Sequence, residues 1–143
     1  MLKLTLVASI FLRAISAQPN ASRAAGYNNF SIALGVNVNG KLTLGENTAD
    51  NCDARIALMA QLNTIGNQTA QIDGCTPEQR FFLSFGQIFC ENARPEALRN
   101  RVPTNQTPEF RVNGVVVNMP KFQKAFACKP GQPMAPAHAC HVW

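Results

Sequence analysis

Glu46 and Asp50 hold the first chemistry legible in this chain. They stand four residues apart in Leu44-Gly45-Glu46-Asn47-Thr48-Ala49-Asp50-Asn51, so on a helix both carboxylates lie on one face, a turn apart. Apolar residues follow at Ala49, Cys52, Ile56, Met59 and Ala60. That series fits a 3.6-residue period, with the two acids on its border. Carboxylates at the edge of a buried stripe want a partner: a cation, a metal ion or a histidine. The plainer account is the helix dipole, which favours acids in a first turn without any ligand.

The longer string Gly40-Lys41-Leu42-Thr43-Leu44-Gly45-Glu46-Asn47-Thr48-Ala49-Asp50-Asn51 closely resembles the second zinc-site motif of the neprilysin / endothelin-converting-enzyme family of zinc metallopeptidases. The resemblance begins at Tyr27-Asn28-Asn29-Phe30-Ser31 and runs to the last residue. It implies that Glu46 is the third protein ligand to zinc and that Asp50 orients a zinc-bound histidine. Glu109-Phe110-Arg111-Val112 resembles the family segment whose arginine hydrogen-bonds the substrate backbone. Arg111 is therefore the implied substrate-binding residue, and its planar guanidinium can donate two bonds to a carbonyl. The alternative for Arg111 is an ordinary surface arginine. The implied fold is mainly α: a partial thermolysin-like (gluzincin) catalytic domain lacking the HExxH helix, with an irregular C-terminal tail.

Much of the zinc chemistry is missing from these residues. A catalytic zinc takes three protein ligands and keeps one position open for water. In the resembled family two ligands are the histidines of HExxH, whose glutamate is the general base. No HExxH occurs here, and the two histidines are His138 and His141. With Cys140 and Cys128 they follow no common zinc spacing. Cys140-His141-Val142-Trp143 instead resembles the family's Cys-x-x-Trp ending, a disulfide followed by a buried tryptophan. Six residues before Arg111, the family places a histidine that stabilises the tetrahedral transition state. Asn105 stands there, an amide that cannot become a cation, and losing such a donor costs on the order of 10²–10³ in rate. Asn105 also heads a sequon, and a glycan there would obstruct the substrate cleft. With one zinc ligand present and two histidine ligands missing, this chain alone is expected to be inactive.

The elements that must position these groups read mostly as helices. The helix carrying Glu46 is predicted over Leu44–Ile65, opened by Thr43 and Gly45 and stopped by Gly66. Ahead of it, Val36 to Gly40 alternates valine with asparagine and ends in a turn signal. After a loop over 67–75, Thr76 as N-cap, Pro77 at the first position and Gln79 three after the cap predict a capping box. The body that follows, 80–90, is apolar nearly all round and should be buried. It resembles the family's buried helix at this place. A short helix over 95–101, an extended piece over 110–114 ending in a turn, and a final helix over 119–127 capped by Asn118 complete the pattern. The tail over 128–136 is too rich in proline and glycine for regular structure.

Length and composition bound the rest. One modest domain fits in 143 residues. Hydrophobic content of 46% with 15% charged residues is globular rather than disordered. Net charge is +5, but the basic residues are scattered, which argues against nucleic-acid binding. Residues 1–17 read as a secretory signal peptide: Lys3, an apolar core over 4–12, and Ser16-Ala17 before a cut at Gln18. Residues 18–26 read as a flexible lead-in, and 27–143 as the neprilysin-like peptidase C-terminal domain, in part. No other apolar run approaches the ~20 residues of a membrane span.

Sequons at Asn20, Asn29, Asn67 and Asn105 predict a glycosylated, secreted, extracellular chain. Five cysteines, Cys52, Cys75, Cys90, Cys128 and Cys140, point to disulfides in the same compartment. The resemblance implies that Cys90, Cys128 and Cys140 pair with partners upstream of this region. Cys52 and Cys75 are extra to that pattern and are candidates to pair with each other. The odd count leaves at least one cysteine for a free thiol or a disulfide-linked partner.

Two functions are carried forward. The first is the C-terminal segment of a neprilysin-like zinc metalloendopeptidase, acting on extracellular peptides once completed by an N-terminal part. The alternative is a secreted, non-catalytic peptide- or protein-binding module derived from that family. Either way the helix face beside Glu46 should expose apolar area, and the isolated chain should be marginally stable or partner-dependent.

Overall fold

The computed structural model describes residues 31–32, 36–37, 39–94, 96–97, 100 and 107–137. In chain order the elements are β1 (Ser31–Ile32), β2 (Val36–Asn37), α1 (Leu44–Ile65), α2 (Pro77–Ile88), α3 (Pro108–Val116) and α4 (Pro120–Ala125). The strands form one small antiparallel pair, Ser31 opposite Asn37 and Ile32 opposite Val36. Glu96, Ala97 and Asn100 are also helical, within the predicted short helix. The predicted leader, the sequons at Asn20, Asn29 and Asn105, Cys140 and both histidines lie outside the described residues.

α1 has the predicted bounds. Thr43 sits at its N-cap without a side-chain capping bond; its hydroxyl instead donates to the Asn39 carbonyl at 3.0 Å. Gly66 ends the helix at φ +57 with its N–H on the Leu62 carbonyl, a conformation that suits glycine because it has no Cβ.

The face that α1 buries differs from the expected stripe. Of Ala49, Cys52, Ile56, Met59 and Ala60, only Cys52 is buried. The packed face is Asn47, Asn51, Cys52, Ala54 and Leu58. Two asparagines sit inside because their amides bond locally, Asn47 Nδ2 to Thr43 Oγ1 at 3.2 Å and Asn51 Nδ2 to the Asn47 carbonyl at 2.7 Å. Satisfying part of the amide locally lowers the cost of its burial.

α2 opens with the predicted capping box: Gln79 N–H donates to Thr76 Oγ1 at 3.2 Å and Thr76 N–H to Gln79 Oε1 at 2.9 Å. Its burial is one-sided, against expectation. Phe82 is buried, whereas Leu83 and Ile88 are 50% and 77% exposed. α1, α3 and α4 pack against this helix.

Residues 110–114 are helical, not extended, and belong to α3. Thr107 at the N-cap and Pro108 in the first turn start it. Burial of Phe110, Gly114, Val115 and Val116 then outweighs the strand preference of its valines. Asn118 does not cap the final helix: its Nδ2 donates back to the Gly114 carbonyl at 2.8 Å, and Met119 is the N-cap of the shorter α4. The core joins Ala54 and Leu58 of α1, Phe82 of α2, Val115 and Val116 of α3, and Met119, with Phe81, Phe85, Phe122 and Met134 packed around them. Burying such groups stabilises by roughly 1.5–3 kcal/mol per large side chain.

Candidate functional site

α1 and α3 run in the same direction. Arg111 bonds Asp50, and further along both helices Arg55 Nη2 donates to the Asn118 carbonyl at 2.9 Å. That register sets the early turns of α1, which carry Glu46 and Asp50, beside the first turn of α3, and the candidate site lies there. Arg111 holds Asp50 with two parallel bonds, Nε to Oδ2 at 2.8 Å and Nη2 to Oδ1 at 2.7 Å. This bidentate geometry is the strong form of an arginine–carboxylate contact. Asp50 is 11% exposed and Arg111 38%. The Arg111 guanidinium also lies 4.9 Å from the centroid of Phe89, a cation–π position.

The Arg111 pKa is raised above its ordinary value. Hydrogen bonding to Asp50 is the first cause, burial works against it, and the charges of Asp50 and Glu46 add to it. Glu46 therefore acts electrostatically on the same guanidinium, while its own side chain faces solvent.

The structure thus brings Glu46, Asp50 and Arg111 together. Arg111 is not a free surface arginine; its Nε and Nη2 are engaged by Asp50, and its Nη1 makes no hydrogen bond among the described residues. Asn67 lies exposed in the loop after α1. Cys75, Cys90 and Cys128 form no disulfide among the described residues, so the expected Cys52–Cys75 pair is not made. Gln61 donates to the Pro77 carbonyl at 3.0 Å, which places the start of α2 roughly 13 Å along α1 from Cys52. A disulfide needs Cα atoms within about 7 Å.

Sequence reasoning missed Asn47, Asn51, Thr107 and Phe89. A signal existed for the first two: Thr43, Asn47 and Asn51 recur every four residues, a polar row next to the acids.

Comparison with known proteins decides the lineage. The chain matches the model of peptidase family M13 over residues 18–142. It belongs to that family. It is 39% identical to bovine endothelin-converting enzyme 1 over 132 residues, which is 88% of this chain and 17% of that enzyme. It is 39% identical to neprilysin-2 of Drosophila melanogaster, covering 82% of this chain and 16% of the relative. Among solved structures, the inhibitor complex of the Mycobacterium tuberculosis zinc metalloprotease Zmp1 superposes with a TM-score of 0.68 at 31% identity, over 76% of this chain and 19% of that one. The chain thus spans about a sixth of the length of these curated relatives, and its mainly helical fold is that of part of an M13 metalloprotease.

The M13 family is zinc-dependent, so the described residues can be tested for their fit to the metal. Glu46 offers one oxygen donor. Asp50 is engaged by Arg111, and among the described residues no three His, Cys, Asp or Glu side chains come together. A structural or catalytic zinc takes at least three protein ligands. This donor set does not fit zinc unaided.

Proposed function

We propose that residues 27–143 are the C-terminal part of the catalytic domain of a neprilysin-like zinc metalloendopeptidase, and that this chain alone does not hydrolyse peptides. The observation that carries the reading is the division of labour on α1. Asp50 is locked by Arg111, while Glu46, one turn away, keeps its carboxylate exposed. Glu46 is the metal-facing residue in this reading. Asp50 fixes geometry, and Arg111 offers its Nη1 edge to a backbone carbonyl of a bound peptide. The relatives' printed names, endothelin-converting enzyme and neprilysin, suggest extracellular peptides as the substrate class, which suits the leader and sequons in the sequence. Among the described residues no helix is long and apolar enough to cross a membrane.

The test has two arms. Purified chain is assayed for zinc content and chelator-sensitive cleavage of peptides; sub-stoichiometric zinc and no cleavage are expected. Residues 27–143 are then exchanged for the matching segment of a working endothelin-converting enzyme. The chimera should retain zinc and lose it with Glu46→Val. One equivalent of zinc and cleavage by the isolated chain, or a chimera indifferent to Glu46→Val, overturns the reading.

Asn105 supports a second reading, a secreted non-catalytic peptide-binding module, because it heads a sequon where the family places a cationic histidine. A glycan on Asn105 of secreted chain, with peptide binding but no gain of cleavage from Asn105→His in the chimera, favours this module.

A further inference from the structure

Asp50 grips the Arg111 guanidinium by one edge, from Nε to Oδ2 at 2.8 Å and from Nη2 to Oδ1 at 2.7 Å. A fork of this kind resists sliding and rotation within the guanidinium plane. It hinges more easily, because tilting that plane about the shared edge stretches neither bond much. Asp50 alone therefore leaves the direction of Nη1 soft. The face of the guanidinium, however, meets a ring. Arg111 Cζ lies 4.9 Å from the centroid of Phe89, within the roughly 6 Å at which a cation over an aromatic face is attracted. The ring is itself held in place. Phe89 is the C-cap of α2, with its N–H on the Gln87 and Gly86 carbonyls, and Phe85 meets its ring at 5.5 Å with the planes inclined by 67°. Gly86 brings α2 against α3 beside the arginine: a Cβ there would stand 4.0 Å from Val112 Cγ1.

We propose that Phe89 is a positioning residue for Arg111: its ring sets the tilt of the guanidinium whose edge Asp50 holds, and so aims Nη1. The two restraints act on different motions. The carboxylate decides where the fork sits, and the ring decides which way its Nη1 edge points. The plainer account is that Phe89 only covers the end of α2, where any apolar side chain of like size would serve. Attraction to an aromatic face depends instead on the negative charge of that face, so the two accounts part on chemistry rather than on volume. That Nη1 serves a peptide carbonyl rests on the proposed function; the tilt of the guanidinium does not.

The test uses the whole isotope-labelled chain, read at the Arg111 Nε resonance. Phe89→Leu keeps an apolar side chain and removes the ring. The Nε hydrogen should then exchange roughly threefold faster, the factor an exposed cation–π contact is worth, and lose the displacement the ring current gives its shift. Phe89→Trp should protect it at least as well as the parent, since tryptophan has the strongest face. The series that separates the two accounts places phenylalanine with one, two or three ring fluorines at position 89 alone. Fluorination nearly preserves shape while withdrawing charge from the face. Exchange should speed up stepwise along the series, with the unfolding midpoint of the chain little moved. Exchange that stays flat along it, or is equal in Phe89→Leu and the parent chain, overturns the positioning role. In the chimera with an endothelin-converting enzyme, Phe89→Leu should leave the zinc content unchanged where Glu46→Val empties the site. Zinc loss on Phe89→Leu would mean that the ring supports the turn carrying Glu46 rather than the arginine, and overturns the assignment. A chimera that never holds zinc strikes the peptidase reading alone, and the fluorinated series still decides Phe89.

Discussion

The α1–α3 seam and the α2–α4 contact share the apolar core but differ in what they add to it. The seam adds directional bonds between the helices: Arg111 on Asp50 and Arg55 on the Asn118 carbonyl. Between α2 and α4, rings do the packing. Phe82 meets Phe122 edge-on at 5.2 Å and Phe126 at 6.3 Å. Aromatic packing supplies large, weakly directional stabilisation, whereas charged and polar bonds supply modest net energy and strict geometry. The candidate site sits on the seam because a site needs geometry more than bulk.

The largest effect should come from the aromatic side. Phe82→Ala removes the one deeply buried ring of α2, and truncations of this kind cost about 3–5 kcal/mol. Chemical denaturation should show most of the chain's stability gone. At low temperature, whatever folded fraction remains should keep the Arg111 Nε resonance in place. Loss of that resonance from folded molecules would show that the two regions are not separable.

Asp50→Asn strikes the seam and should cost less. The pair is bidentate, but Arg111 is more than a third exposed, so solvent screening discounts it to about 1 kcal/mol. The geometric consequence should be out of proportion to that figure, with the Arg111 side chain losing its protected Nε hydrogen altogether. The pair's pH response follows from the raised pKa of Arg111. Its stabilising contribution is complete below the ordinary arginine pKa and falls away only as pH rises through the raised folded value. Titration from neutral into moderately alkaline conditions should therefore leave this pair's share of stability flat. A decline near neutral pH assigned to Arg111 would contradict the geometry.

Thr76→Ala removes one half of the α2 capping box and should cost about 1 kcal/mol, read as faster amide exchange in the first turn of α2. Gln79 also donates to the Ala125 carbonyl at 2.9 Å, so fraying of that turn should reach α4. Arg111 exchange should not move.

That capping box, like the bounds of α1, was plain in the sequence because the signals are local. Thr76, Pro77 and Gln79 specify their own geometry within four residues, and Gly66 stops a helix by its lack of a side chain. The proximity of Glu46 and Asp50 was equally legible from helical spacing. The Asp50–Arg111 bonds were not. The partners are 61 residues apart, and family resemblance assigned them separate tasks without implying that they touch. The buried face of α1 was misread for a related reason. Asn47 and Asn51 look polar, but their amides bond backbone and side-chain oxygens one turn back, so tertiary packing could enclose them and leave Ile56 and Met59 outside. In 110–114, Phe110, Val112 and an Asn-Gly step suggested extended structure. The helix there depends on Ala54 and Leu58 of α1 packing with Val115, which no local pattern encodes.

The smallest expected effect concerns the outward stripe of α1. Ile56 is 41% and Met59 63% exposed, and with Leu58, Met119 and Pro120 they line an open cavity of about 540 Å³ rimmed by Arg55 and Lys121. Neither side chain belongs to the central cluster of Leu58, Phe82, Val115 and Met119. Ile56→Gln should therefore change stability by no more than about 0.5 kcal/mol, as surface substitutions do. Gln keeps the straight-chain helix preference and places an amide where an apolar group meets water, so α1 itself loses nothing. What should change is behaviour at high concentration, because an exposed apolar stripe invites association. Light scattering of the parent chain should show self-association that Ile56→Gln reduces, with the melting curve unmoved. A stability loss comparable to that of Asp50→Asn would mean that the stripe is packed in the folded chain, and the division between a bonded seam and an uncovered apolar face would fail.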